Sequence, residues 1–290
     1  MFKGAGVAII TPFNQGKVDL DQYKKLLDFQ IENDCQCLIV LGTTGEASTL
    51  TGEEKREVIK TAVKHVNGRI PVVVGTGSNN TSVTVENTRV AEELGADGAL
   101  VVTPYYNKAT QNGLLAHFGA VAENTELPII LYNVPGRTGL NIEPETVAKL
   151  ADIKSIVGIK EACGNISQVL EIKRLVPENF MIYSGNDDNI LPIYSVGGHG
   201  VISVMANVIP RETQEMCKAF EDGNISKAIE LQVKYKKLFN LLFMEVNPIP
   251  VKAAASLMGL AKNELRMPLT PMEENNKEQL EIEMKRLNLI

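Results

Sequence analysis

The sequence predicts an α/β protein, a (β/α)₈ TIM barrel with a small C-terminal helical appendage. Three observations carry that reading. Short apolar, β-branched runs begin at residues 6, 37, 71, 99, 128, 156, 180 and 200, so successive starts lie 20 to 34 residues apart. Helix-like segments separate most of them, and strands alternating with helices imply right-handed βαβ units on a parallel sheet. Eight such units fit a closed barrel. An open doubly wound sheet would want G-x-G-x-x-G after its first strand. Here that place holds Thr11-Pro12-Phe13-Asn14, and Gly75-Thr76-Gly77 is only half such a motif.

The strands are expected at Gly6–Ile10, Cys37–Leu41, Pro71–Val74, Ala99–Val102, Pro128–Leu131, Ile156–Ile159, Phe180–Tyr183 and Gly200–Val204. Each is a continuous apolar run, as suits a sheet covered on both faces. Between the first two, Leu20, Tyr23, Leu26, Leu27 and Ile31 recur at helical spacing. Val58, Ile59, Ala62, Val63 and Val66 do the same, and Thr51-Gly52-Glu53-Glu54 reads as the capping box that opens their helix. After Asn207 the strand signals stop. Arg211–Glu221, Ile225–Phe243, Pro250–Leu260 and Glu273–Leu287 read as helices. The barrel is therefore expected over residues 1–224 and a helical region over 225–290, packed on the barrel because no low-complexity linker separates them.

The composition narrows the function classes. The 290 residues are 44% hydrophobic and 22% charged, ordinary for a globular chain. Lys+Arg 29 against Asp+Glu 35 leaves a net charge of −6, poor electrostatics for gripping nucleic acid or an anionic membrane. No apolar stretch approaches the roughly 20 residues of a membrane span. Met1–Ile10 is too short for a signal segment with its cleavage site. Cys35, Cys37, Cys163 and Cys217 include no C-x-x-C pair, so reduced thiols and a cytoplasmic location are expected.

In such barrels chemistry gathers at the carboxyl ends of the strands. Lys160 stands out there, since no other lysine terminates any of the eight runs. Alternation along the strand places Lys160 and Gly158 on one face and Val157 and Ile159 on the other. If the β-branched pair faces the helices, Lys160 points into the barrel mouth beside a space left by Gly158. A lysine drawn partly out of water loses preference for its charged form and can attack a carbonyl as a free amine. The competing reading is a lysine that snorkels to the rim or pairs with Glu161. Tyr132 shares the phase of Ile130 and is either a proton shuttle or a hydrogen-bonded aromatic at the barrel mouth. Gly42-Thr43-Thr44-Gly45 offers N–H groups and hydroxyls ahead of a helix, a carboxylate cradle or an ordinary turn. His65, His117 and His199 show no metal-ligand spacing, so a metal-free covalent mechanism is expected. Asp187-Asp188 reads as a cap or solvated pair ahead of a divalent-ion site.

Taken in order, six motifs resemble the dihydrodipicolinate synthase family, within the wider N-acetylneuraminate lyase superfamily. They are Gly42–Glu46, Thr103–Asn107, Tyr132–Thr138, Gly158–Ala162, Gly197–Ser203 and Asn247–Lys252. The resemblance runs from Gly4 nearly to the end. It implies condensation of pyruvate with L-aspartate 4-semialdehyde in the lysine and diaminopimelate pathway, with no cofactor and no metal. It matches Lys160 to the lysine that forms a Schiff base with pyruvate and Tyr132 to the proton donor and acceptor. Thr43 and Tyr106 match the rest of a proton relay. Thr44, with Thr43, matches the hold on the pyruvate carboxylate, Ile202 a backbone contact to pyruvate, and Arg137 the arginine that receives the semialdehyde carboxylate. Tyr106 is implied to reach a neighbouring subunit's site in a homotetramer built from tight dimers.

Two other readings compete with this one. A sugar-acid lyase of the same superfamily has no need of Arg137 in Val134–Thr138. A non-catalytic carboxylate sensor has no reason to keep Lys160, Tyr132, Tyr106 and Thr43 together. The resemblance also bears on regulation by L-lysine. Asn79, Tyr105 and Ser48 match positions of the inhibitor cleft, but its glutamate falls on Val83 and its histidines on Gly52 and Lys55. Inhibition is therefore expected to be weak or absent, with Glu86, one helical turn past Val83, placed to substitute.

Overall fold

A computed structural model describes all residues 1–290. Eight parallel strands close into a barrel: β1 (Gly4–Ala8), β2 (Cys37–Val40), β3 (Val72–Gly75), β4 (Gly98–Val102), β5 (Ile129–Asn133), β6 (Ile156–Glu161), β7 (Met181–Ser184) and β8 (Gly200–Ser203). Each hydrogen-bonds its sequence neighbours, and β1 closes the ring against β8, Gly4 to Val7 facing Gly200 to Ser203. The outer helices are α1 (Leu20–Glu32), α2 (Gly52–Val66), α3 (Thr81–Glu93), α4 (Gln111–Ala122), α5 (Pro144–Ala151), α6 (Ile166–Leu175), α7 (Ile190–Ser195) and α8 (Pro210–Glu221). Beyond them lie α9 (Ile225–Leu242), α10 (Ile249–Leu257) and α11 (Glu274–Arg286).

Local chemistry sets the helix starts. Thr51 Oγ1 accepts from Glu54 N at 3.2 Å while the Glu54 carboxylate accepts from Thr51 N at 2.9 Å, the reciprocal capping box. Asp19, Asn80, Thr110, Asn165 and Asn224 cap five other helices through their side chains. One apolar layer, between strands and helices, runs from Val7 and Leu38 to Leu238, Leu242 and Met284, so the helices after Glu221 share the barrel's core. No helix is long and apolar enough to cross a membrane.

The barrel interior holds Phe2, Ala8, Cys37, Ile39, Val73, Leu100, Ile130, Tyr132, Tyr183 and Ile202. Phe2 stacks on Tyr183 with ring centroids 4.5 Å apart, and the Tyr183 hydroxyl donates to the Phe2 carbonyl at 2.7 Å. That pair plugs the amino-terminal end and leaves the carboxyl-terminal end for chemistry.

Two expectations about β6 need correction. The ladder with β5 jumps from Ile129–Ile156 to Ile130–Gly158, so Val157 is an extra, bulged residue. Val157 packs against the inner cluster, whereas Ile159 lies in the outer layer. The bulge resets the alternation, and Lys160 still points inward. Nor does Gly158 leave a space. A Cβ there would stand 2.5 Å from the Met181 carbonyl oxygen, so the glycine lets β7 approach.

Candidate active site at the carboxyl end of the barrel

The strand termini and the loops after them enclose a cavity of about 60 Å³. Thr43, Thr44, Tyr132, Arg137 and Lys160 line it together. An outer vestibule of about 260 Å³ shares Thr43, Tyr132 and Arg137 and continues past Ser48 and Tyr105. Five of the expected residues thus share one small inner cavity, and three of them also line the wider mouth.

Lys160 sits at the inner end and is 5% exposed. It makes no ion pair, and its Nζ lies 4.4 Å from the centre of the Tyr132 ring. Burial lowers its pKa to about 7. Asp187 pulls the other way, and Arg137 adds to the lowering. The alternative of pairing with Glu161 is absent, because Glu161 points to the opposite side of the strand. There Asn133 Nδ2 donates to both its oxygens at 2.9 and 3.0 Å, Cys163 N donates at 2.8 Å and Gln168 Nε2 at 3.2 Å. This saturated carboxylate anchors the end of β6 and leaves Lys160 without an anion in contact.

Burial pushes the Tyr132 phenol above its ordinary pKa, against the opposing effects of Arg137 and of a hydrogen bond with Thr43. It is therefore a neutral acid at pH 7, able to donate a proton. Thr44 is buried, and its hydroxyl accepts from Asn247 Nδ2 at 3.0 Å. Thr43 is exposed at the mouth. Arg137 follows the strand end on a one-turn helix, Pro135–Thr138, and donates to the Asn247 carbonyl at 3.3 Å from the rim.

Two expected residues stay outside the cavity lining. The Ile202 side chain is fully buried in the inner cluster, paired across from Gly6. Tyr106 is 90% exposed on a left-handed backbone with φ of 74°, clear of its own chain's cavity.

The remaining groups eluded the sequence reading. Ala8, Asn186, Val204, Phe243 and Asn247 also line the inner cavity. Asn247 belongs to the Asn247–Lys252 motif, whose spacing alone assigns it no role. Asp187, expected as a cap or a solvated charge, is buried. It accepts from Val204 N at 3.1 Å and Met205 N at 2.9 Å, and its other oxygen has no partner. Burial raises its pKa, and the Lys160 ammonium opposes that rise. Its place after β7 was the only signal. The three histidines have other work: His65 pairs with Asp28, His117 with Thr81, and His199 Nδ1 accepts from Ile182 N.

A family model described as the dihydrodipicolinate synthetase family matches residues 1–287. The chain belongs to that family. Curated relatives of the dihydrodipicolinate synthetase family match along their whole length. A 4-hydroxy-tetrahydrodipicolinate synthase of Alkaliphilus oremlandii is 65% identical over 290 residues, covering 100% of both chains. One from Clostridium acetobutylicum is 52% identical, covering 100% of this chain and 99% of its own. The crystal structure of dihydrodipicolinate synthase from Thermotoga maritima superposes with a TM-score of 0.99 at 47% identity, covering 100% of both chains. The barrel, its eight strands and its C-terminal helices are thus the family's architecture.

Proposed function

We infer that this chain condenses pyruvate with L-aspartate 4-semialdehyde to form 4-hydroxy-tetrahydrodipicolinate, as a lyase of lysine and diaminopimelate biosynthesis. The observation that carries this reading is the Lys160 amine. It is buried, free of anionic contact and half-neutral near pH 7, at the inner end of a cavity with a phenol, a threonine hydroxyl and a guanidinium around it.

Lys160 Nζ attacks the pyruvate ketone, and loss of water gives an iminium. The iminium withdraws electrons from the adjacent methyl group, which gives up a proton and becomes the enamine nucleophile. Tyr132, with Thr43, moves protons in these steps, and Thr44 with Thr43 holds the pyruvate carboxylate. The backbone at Ile202 contacts pyruvate from β8. The enamine carbon then bonds to the aldehyde carbon of the second substrate, whose carboxylate meets Arg137 at the vestibule. A planar guanidinium grips a carboxylate through two hydrogen bonds, which an ammonium does not reproduce. Ring closure by the substrate's own amine releases Lys160. The chain's own residues supply all of these steps, so the reading needs neither cofactor nor metal.

Tyr106 completes the relay from a neighbouring subunit. Its exposure, next in sequence to Tyr105 of the vestibule, supports a tight dimer, two of which form a homotetramer. The substrates are central metabolites, which supports a cytoplasmic enzyme.

The test offers the purified protein pyruvate with the semialdehyde and, separately, N-acetylneuraminate. Consumption of both pyruvate and semialdehyde, with no pyruvate released from the sugar acid, is the expected result. Pyruvate release from the sugar acid alone would favour the lyase reading.

A further inference from the structure

We propose that the buried ion pair between Glu46 and Lys252 is a positioning device, by which the helical region after the barrel holds the Thr43-Thr44 loop in register with Lys160. The proposal rests on the function inferred above and assigns two residues to it that contact no substrate.

The loop that carries Thr43 and Thr44 is bounded by two non-glycine residues in the left-handed region, Leu41 at φ 55° and Glu46 at φ 51°. Such backbone persists where its surroundings over-determine it. Within the loop, Gly45 N donates to the Gly42 carbonyl and Glu46 N to the Thr43 carbonyl, both at 3.1 Å. Outside contacts come chiefly from the far end of the chain. Asn247 Nδ2 holds the Thr44 hydroxyl, and Thr11 Oγ1 donates to the Gly45 carbonyl at 2.7 Å. A third tether is Glu46, whose side chain is 1% exposed and pairs with the Lys252 ammonium, itself 0% exposed on α10.

The pair is built into its surroundings. Lys252 Nζ also donates to the Glu264 carbonyl at 2.7 Å and lies 3.9 Å above the centre of the Phe13 ring. Arg266 N donates to the second Glu46 oxygen at 3.1 Å, and its guanidinium pairs with Glu54 at the start of α2. A pair held this way fixes geometry more than it adds stability. Removing one partner strands a buried charge, while replacing both with neutral groups is tolerated far better. If positioning is the role, the damage should fall on pyruvate binding, because the loop holds the pyruvate carboxylate and Lys160 sits on a different strand.

Three variants decide it: Glu46→Gln, Lys252→Met and the two combined. Steady-state kinetics with pyruvate are read beside thermal unfolding and the stoichiometry of the borohydride-trapped pyruvate adduct at saturating pyruvate. Lys252→Met is expected to raise the pyruvate KM at least tenfold with kcat within about threefold and one adduct per chain. The double variant is expected to recover most of the lost melting temperature, because no buried charge is stranded, but not the lost KM, because the tether is still absent. Pyruvate KM at the wild-type value in both single variants would overturn the proposal. So would equal losses in kcat and KM, or a double variant whose pyruvate KM returns to the wild-type value. If a single variant fails to fold, the comparison of Glu46→Gln or the double variant with wild type carries the same criterion on KM. Absence of any adduct in the wild-type protein would instead overturn the function on which the proposal rests.

Discussion

With its pKa lowered to about 7, Lys160 is roughly half neutral at physiological pH, although an ordinary lysine would be almost wholly charged there. The rate of adduct formation with subsaturating pyruvate should therefore rise between pH 6 and 8 and level off above, and an acid limb centred near pH 10 would contradict this. The same shift acts on stability. The unfolded chain binds a proton at Lys160 up to about pH 10.5 while the folded chain releases it near 7, so folding is disfavoured most below 7 and less as pH rises toward 10. Lys160→Met should thus raise the melting temperature at pH 7, by a margin that shrinks at pH 9.5, while lowering activity by about 10³-fold or more. A margin that grows with pH would refute the buried-amine account. In the proposed reaction Arg137 receives the second substrate. Losing a charge-assisted bidentate contact costs about 1.5–3 kcal/mol, roughly 10- to 100-fold. Arg137→Ala should impair use of the semialdehyde by that factor and pyruvate adduct formation far less. Equal damage to both would refute its placement.

Among elements, β6 shows what alternation can and cannot deliver. Lys160 was legible as an inward group because it terminates an apolar run, yet Val157 faces inward too, because a bulge leaves no trace in a run of apolar residues. The capping box at Thr51 was legible because its two hydrogen bonds are local. Asp187 and Asn247 were not, because their roles depend on partners far away in the chain. The cleft between the starts of α2 and α3, about 300 Å³, gathers Ser48, Gly52, Lys55, Arg56, Val83, Glu86 and Tyr105. Asn79, an expected contact, is not among its lining residues. Lys55 and Arg56 place two cations against the single carboxylate of Glu86, a poor host for an ammonium ligand. Steady-state rates with the semialdehyde near its KM should be insensitive to millimolar L-lysine. Strong inhibition at sub-millimolar L-lysine would show that Glu86 replaces the missing acid.

For the whole molecule, one core spans the barrel and the helices after it, and Asn247 and Lys252 from those helices reach back to the Thr43–Glu46 loop. The barrel was readable because periodicity is a property of each segment. The plug of Phe2 on Tyr183 was not, because it joins the two ends of the barrel sequence. In the proposed reaction Tyr106 acts across a subunit boundary. Native mass spectrometry should give a tetramer, and Tyr106→Phe should lower kcat with the assembly intact. A fully active monomer would contradict that reading. The central claim is that Lys160 is the covalent nucleophile, and borohydride reduction in the presence of pyruvate followed by peptide mass spectrometry tests it most directly. One reduced pyruvate adduct per chain, on the peptide carrying Lys160 and lost in Lys160→Ala, is the predicted result. An adduct on another lysine, or none, would contradict the account.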